Sequence, residues 1–162
     1  MALALGVPCV SDQWAWDQLC GDGLDWRTYL HTAGKSERLG IHVSQVFDPR
    51  WANGSEQLFD PRLSSSVRRP FADKSFLLVL CSRSIDNREM IRKVVCAAGA
   101  ASAELVKSIE KAEKPLDQYD IIVFDSREKG LEIEARRNGA KRCHGIPWVK
   151  QSIIMGAPQS FL

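Results

Sequence analysis

Ser75-Phe76-Leu77-Leu78-Val79-Leu80-Cys81 decides how the rest of the chain is read. Apolar side chains at consecutive positions leave no polar face, so the run reads as a strand covered on both sides, as in a parallel sheet. C-terminal to it, Asn87–Ala98 carries Ile91, Val94, Val95 and Ala98 at spacings of three and four, an amphipathic helix that Gly99 stops. Ser102–Lys107 alternates and reads as a second strand, and Tyr119–Asp125 is another apolar run and a third strand. Ser126 opens a helix to about Asn138, which Gly139 ends, and Lys141–His144 is a short fourth strand. Pro147 opens a last helix, Trp148–Met155, at a position where its missing amide costs nothing. Strands alternating with helices predict an α/β fold with a central, mainly parallel four-stranded sheet flanked by helices.

N-terminal to this unit the pattern changes. Residues 24–74 lack sustained periodicity and are punctuated by Gly, Pro, Asn and Ser; Asp48-Pro49-Arg50 recurs as Asp60-Pro61-Arg62, too short to be a structural repeat, and Ser64-Ser65-Ser66 follows. This stretch reads as a long, extended connection, with Trp26, Tyr29 and Leu30 packing its first turn down. Residues 1–23 carry Asp12, Asp17 and Asp22 and no base. They read as an apolar strand, Leu3–Val10, followed by a short helix capped by Ser11 or Asp12 and ended by Gly21 and Gly23. The expected organisation is therefore 1–23, 24–74 and 75–162.

Composition narrows the function classes. The 162 residues are 44% hydrophobic and 26% charged, the balance of an ordinary folded domain. With 22 basic and 20 acidic residues the net charge is only +2, which argues against direct nucleic-acid binding through a basic face. No apolar run approaches the roughly 20 residues needed to span a bilayer, so no membrane association is expected. Cys9, Cys20, Cys81, Cys96 and Cys143 form no Cys-x-x-Cys pair and read as small buried hydrophobes in a reducing compartment. Cys143-His144 has no matching pair elsewhere, and His31 and His42 stand alone, so no metal site is expected.

Residues 75–156 resemble a BRCT repeat, the phosphoprotein-binding module of DNA-damage proteins. The resemblance rests on the buried strand Phe76–Leu80, the Gly99-Ala100 corner, the strand Asp120–Asp125, and Trp148-Val149-x-x-Ser152-Ile153-x-x-Gly156, whose Trp marks the family. Gly6-Val7-Pro8-Cys9-Val10-Ser11-x-x-Trp14 looks like the last strand and helix of a preceding repeat, and Trp26-Arg27-x-Tyr29-Leu30-x-x-Ala33-Gly34 like the linker of the checkpoint-adaptor subfamily (the p-fifty-three-binding protein one type of animals and the Crb-two type of fungi). The resemblance implies a partial first repeat, a linker with an insertion over 41–74, and a complete second repeat. Trp14, Gly99 and Trp148 are then structural, with each Trp plugged against a parallel sheet.

In such tandems a Ser or Thr after the first strand, a backbone amide and a Lys of the second helix of the first repeat hold phosphate, because a near-dianion needs charge-assisted donors. By the resemblance this chain begins after those residues and is read as N-terminally truncated. The second repeat offers Ser82, but Glu132 falls where the family has Lys, and a carboxylate there would repel phosphate. The groove positions that the resemblance assigns to the second repeat are Ser84, Ile85 and Asp86 before the first helix, and Ile146 and Lys150 flanking Trp148. With a first-repeat helix missing, apolar residues of 87–98 and 148–155 would lose cover and favour self-association, a homodimer included. Arg136, Arg137, Lys141 and Arg142 cluster at a helix C-terminus, where cations suit the helix dipole.

Other classes fit less well. Asp120–Asp125 imitates the phospho-acceptor strand of a receiver domain, but Cys81-Ser82-Arg83-Ser84 stands where the magnesium-holding acids should be. No phosphate-cradling glycine loop occurs, and no His–acid–nucleophile set can be assembled. The expectation is a non-catalytic nuclear interaction module of a DNA-damage checkpoint or repair adaptor, without cofactor. Its partner would be a phosphorylated protein tail such as phospho-histone in chromatin. The alternative is a phosphate-independent BRCT scaffold of a repair-enzyme complex of the ligase or polymerase type.

Overall fold

The computed structural model describes residues 2–5, 7, 9–21, 23–37, 40, 42–44, 69–81, 85–125, 129–156 and 158. A four-stranded sheet organises the C-terminal part. Its strands are β3 (Ser75–Val79), β4 (Ser102–Val106), β5 (Ile121–Phe124) and β6 (Cys143–Gly145), in the order β4-β3-β5-β6. Every pairing is parallel: Phe76 lies opposite Ala103 on one side and Ile121 on the other, and Ile122 opposite Cys143. The helices are α2 (Ile85–Ala97), α3 (Lys129–Arg137) and α4 (Ile146–Met155). The α/β fold expected from the alternation is thus the fold observed.

The apolar run at 76–80 is continuous because both faces of β3 are covered. Phe76, Leu78 and Leu80 join Ile121 and Val123 in one core, closed by Val95 of α2, by Ala98 just past its end, and by Trp148 and Val149 of α4. Leu77 and Val79 point the other way and join Ile122, Phe124 and Cys143 in a second core, closed by Ala135 of α3. Residues 76–80 are all 0% exposed, and each such side chain contributes ~1.5–3 kcal/mol relative to an exposed one. The crossovers leave the central strands in opposite directions. Since parallel crossovers are right-handed, α2 and α3 must lie on opposite faces, as they do.

Local signals set the ends. Gly99 follows α2 with φ 102°, a conformation side chains resist, and a Cβ there would lie 2.8 Å from Cβ of Arg69. Pro147 sits in the first turn of α4, with Gly145 as the extended cap. The Ser75 amide and hydroxyl both donate to Asp120, at 2.9 and 3.0 Å, fastening the starts of β3 and β5. These bonds hold the Asp120 carboxyl below its ordinary pKa.

The N-terminal half departs from the sequence reading. Leu3–Val10 is not a strand: Leu3–Leu5 form a 3-10 turn, and Val10 makes only an isolated antiparallel bridge to Leu30. A proline at position 8 has no amide to give to a ladder, which makes a strand through it costly. The helix α1 (Gln13–Cys20) forms as expected but buries no residue. Trp14 is therefore half-buried and belongs to neither core.

Residues 24–74 are also more structured than an extended connection. Trp26–Tyr29 form a 3-10 turn, and β1 (Thr32–Lys35) pairs antiparallel with β2 (His42–Ser44). Strands of four and three residues are too short for alternation to register. The repeated Asp-Pro-Arg and the serine run lie outside the described residues. Phe71, read as part of the connection, is 0% exposed and packs edge-on against Phe76 at 5.0 Å.

The cover expected to be missing from α2 and α4 is partly supplied by the chain itself. Ala4, 3% exposed, joins their core, and the 3-10 turn at Leu3–Leu5 touches both helices. The cysteine expectation holds for Cys143 alone. Cys20, Cys81 and Cys96 are exposed and Cys9 is half-buried. A thiol is small enough for the face it falls on, rather than its hydrophobicity, to decide its burial.

Candidate functional site

Parallel strands deliver their carboxyl ends to one edge, and the helices that follow begin there. Ile85 and Asp86 stand in the first turn of α2, after β3, both exposed, with Ile85 at 69%. Ile146 begins α4, after β6; it is half-buried against the core that α2 also covers. Lys150 is exposed one turn further along α4. The fold therefore brings Ile85, Asp86, Ile146 and Lys150 to the same edge and the same face of the sheet. β5 lies between the two groups, a separation of about 10 Å at two strand spacings. Ser84 lies outside the described residues.

Strand order marks one place along this edge. From β3 the chain crosses to β4 on one side, while β5 lies on the other, so the carboxyl ends of β3 and β5 meet at a topological switch point. Open α/β sheets take ligands at such points. Here the described residues are Cys81, which is exposed, Asp125, 4% exposed, and the start of α2. The Asp125 amide donates to the Val79 carbonyl at 3.3 Å, holding the two strand ends together.

Arg88 is the residue at this edge that sequence reading missed. It is 8% exposed, and its Nε is sealed from solvent without a hydrogen-bond partner. Its position carried the signal: it precedes Ile91 by three and Val95 by seven, on the stripe of α2 that faces the core.

Trp148 is 3% exposed, stacked on Phe71 at 5.6 Å and on His144 at 4.2 Å, with ring planes 22° and 8° apart. Burial pushes the His144 imidazole down to about 4; Glu132 opposes this, and Arg136 and Arg142 add to it. The imidazole is thus neutral at physiological pH. Cys143 and His144, adjacent in sequence, serve opposite cores, because successive strand residues point to opposite faces. They do not form a nucleophile–base pair. Burial raises the Cys143 thiol above its ordinary pKa, which keeps it protonated.

The basic cluster lies at the other end of the sheet. Arg137, Lys141 and Arg142 are exposed where α3 ends and β6 begins, and Arg136 pairs with Glu132 at 2.9 Å. This is the edge where Asp120 sits, with Lys74 and Lys141 near enough to lower its carboxyl further. It is a strand's length from Ile85, Asp86 and Ile146.

Among the described residues no three His, Cys, Asp or Glu side chains gather as a metal site, and no helix is long and apolar enough to cross a membrane. No known protein-family model matches the sequence, and no curated protein matches it significantly.

Proposed function

We propose that the chain is a non-catalytic protein-interaction module of the BRCT type, belonging to a nuclear DNA-damage checkpoint or repair adaptor and receiving a peptide along the carboxyl edge of its sheet. The observation that carries this reading is the placement of Ile85, Asp86, Ile146 and Lys150 on one edge and one face, beside a closing helix plugged into the core by Trp148. An exposed Ile and a half-buried Ile offer apolar contact, while Asp86 and Lys150 offer charges of either sign. A short peptide laid across them would bury apolar surface and meet polar groups at its margins, the usual division of labour in a protein interface. The sequence resemblance supplies the partner class, a phosphorylated protein tail such as that of a histone, bound by the intact tandem.

The second reading is a phosphate-independent scaffold. The exposed apolar residues Trp16 at 62%, Leu19 at 79% and Leu24 at 63% favour it, because they provide a contact surface that needs no phosphate. Immobilised chain, offered matched phosphorylated and unphosphorylated histone-tail peptides and nuclear extract, separates the two. Phosphatase-sensitive capture that Ile85→Asp or Lys150→Glu removes supports the adaptor, and phosphatase-resistant capture that Leu19→Asp removes supports the scaffold. Phosphatase-sensitive capture unaffected by Ile85→Asp and Lys150→Glu overturns the assignment of the edge.

A further inference from the structure

We propose that Arg88, at the amino end of α2, is the anchor of a receiving site for a carboxylate on a bound peptide, an acidic side chain or a chain terminus. The argument begins with a cost. A guanidinium is permanently charged, and one that is 8% exposed has given up most of its hydration. Buried cations are ordinarily repaid by a carboxylate and by hydrogen bonds. Arg88 has neither: its Nε is sealed and unbonded, and no ion pair holds it among the described residues. Its neighbours on the helix do otherwise, since Arg92 is engaged by Glu89. A buried polar group left without a partner in a folded protein calls for an explanation.

Geometry supplies one. Side chains on a helix lean toward its N-terminus, so the stem of Arg88 sets off toward the first turn of α2 and the carboxyl edge. That turn carries the positive end of a thirteen-residue helix, whose first amides have no partner within the helix. The same turn stands at the switch point between β3 and β5. A buried cation with an unbonded Nε, a helix amino terminus and a sheet crevice coincide there.

Charge decides between oxyanions. Asp86 is in the same turn, and Asp125, which has an interaction of its own, follows the adjacent strand. Among the described residues these two carboxylates and one guanidinium stand at this edge, and for that balance a singly charged planar group fits better than a near-dianionic phosphate. The fork of a guanidinium also matches a carboxylate in two parallel hydrogen bonds. Glu132, which sequence alone sets against an anion, is paired with Arg136 on the opposite face of the sheet. The site differs from the phosphate pocket the resemblance implies: it lies in the second unit, and its cation comes from the first helix of that unit. It does not depend on the adaptor reading, because the probe is a small anion and not a histone tail.

The test is a titration of the whole isotope-labelled chain with sodium acetate, sodium phosphate and sodium chloride at matched ionic strength. Arginine Nε–H signals and the amides of residues 85–88 are followed. Acetate should shift the Arg88 Nε–H signal and those amides saturably, while the signals of Arg92 and Arg136, already paired, stay still and chloride has no effect. Arg88→Met should lose the response and melt no lower than the parent, since an unpaired charge has been removed. An Arg88 signal that moves no more than that of exposed Arg137, or an acetate response that survives Arg88→Met, overturns the site. Tighter binding of phosphate than of acetate overturns the choice of carboxylate. Should Arg88→Met not fold, Arg88→Lys keeps the charge without the fork and should bind acetate several-fold more weakly; equal binding again overturns the proposal.

Discussion

Trp14 and Trp148 look equivalent in sequence, and the structure makes them unequal. Truncating Trp148 to Ala should cost ~3–5 kcal/mol. A Trp buries about 150–250 Å² on folding, or ~4–6 kcal/mol at about 25 cal/mol per Å². Residual compactness of the unfolded chain lowers that by roughly 10–40%. The cavity left against Phe71 and His144 then adds to the loss, which keeps the total in the range usual for buried Trp or Phe. For a chain of this length the expected fall in Tm is roughly 6–20 °C, at about 2–4 °C per kcal/mol. The control is Trp16→Ala: that side chain is 62% exposed, and its removal should change stability by no more than ~0.5 kcal/mol. Half-buried Trp14 should fall between. Urea unfolding followed by far-ultraviolet circular dichroism measures all three, with the midpoint moving at constant slope. A loss below ~1 kcal/mol for Trp148→Ala, or one no larger than for Trp16→Ala, would refute the placement of Trp148 at the centre of the core.

Three further outcomes follow from the packing. His144 is held neutral by burial, with its pKa lowered from 6.5 to about 4, so the unfolded chain binds its proton first; stability should fall as pH drops from 6.5 toward 4, and His144→Phe should flatten that slope in pH-resolved urea titrations. The Asp120 carboxyl is lowered by the Ser75 amide and hydroxyl, so its contribution is complete above its unfolded pKa and is lost as pH falls through the lower folded value; the stability gap between the parent and Asp120→Ala should close in acid, and a gap constant with pH counts against the tie. Gly34 has φ 142°, and a Cβ there would lie 2.9 Å from Cδ1 of Ile154, so Gly34→Ala should cost ~1–3 kcal/mol, with Ile154→Val recovering only the steric part; full recovery would remove the backbone-strain argument.

The C-terminal unit was legible because each of its signals is local and strong. Residues 76–80 and 121–124 are apolar without interruption, which only a strand covered on both faces explains, and the glycine after each helix fixes where it stops. The N-terminal half was not, because its structure depends on partners that local pattern does not reveal. Ala4 and Phe71 are far apart in sequence yet fill one core with Trp148, and neither sits in a periodic stretch. The hairpin is held to α4 through main-chain groups, which leave no mark on composition. Of the site, the edge was legible from the alternation of strands and helices, since parallel strands must end together. Arg88 was overlooked for a different reason: a charged residue on an apolar stripe is ordinarily assumed to reach solvent, and only the folded chain reveals that this one does not.

The way the hairpin rests on α4 has a consequence for how freely it can change. The Gln151 side chain donates to the carbonyl of Lys35 at 3.2 Å and accepts from the amide of Glu37 at 3.0 Å, so it grips the chain by atoms every residue except proline possesses. The letters at positions 35 and 37 are therefore nearly irrelevant to the clasp, whereas the single letter at 151 is not. Foreign side chains grafted at the exposed positions 35 and 37 should leave the clasp intact, which makes those two positions natural handles for engineering new contacts without disturbing the sheet beneath.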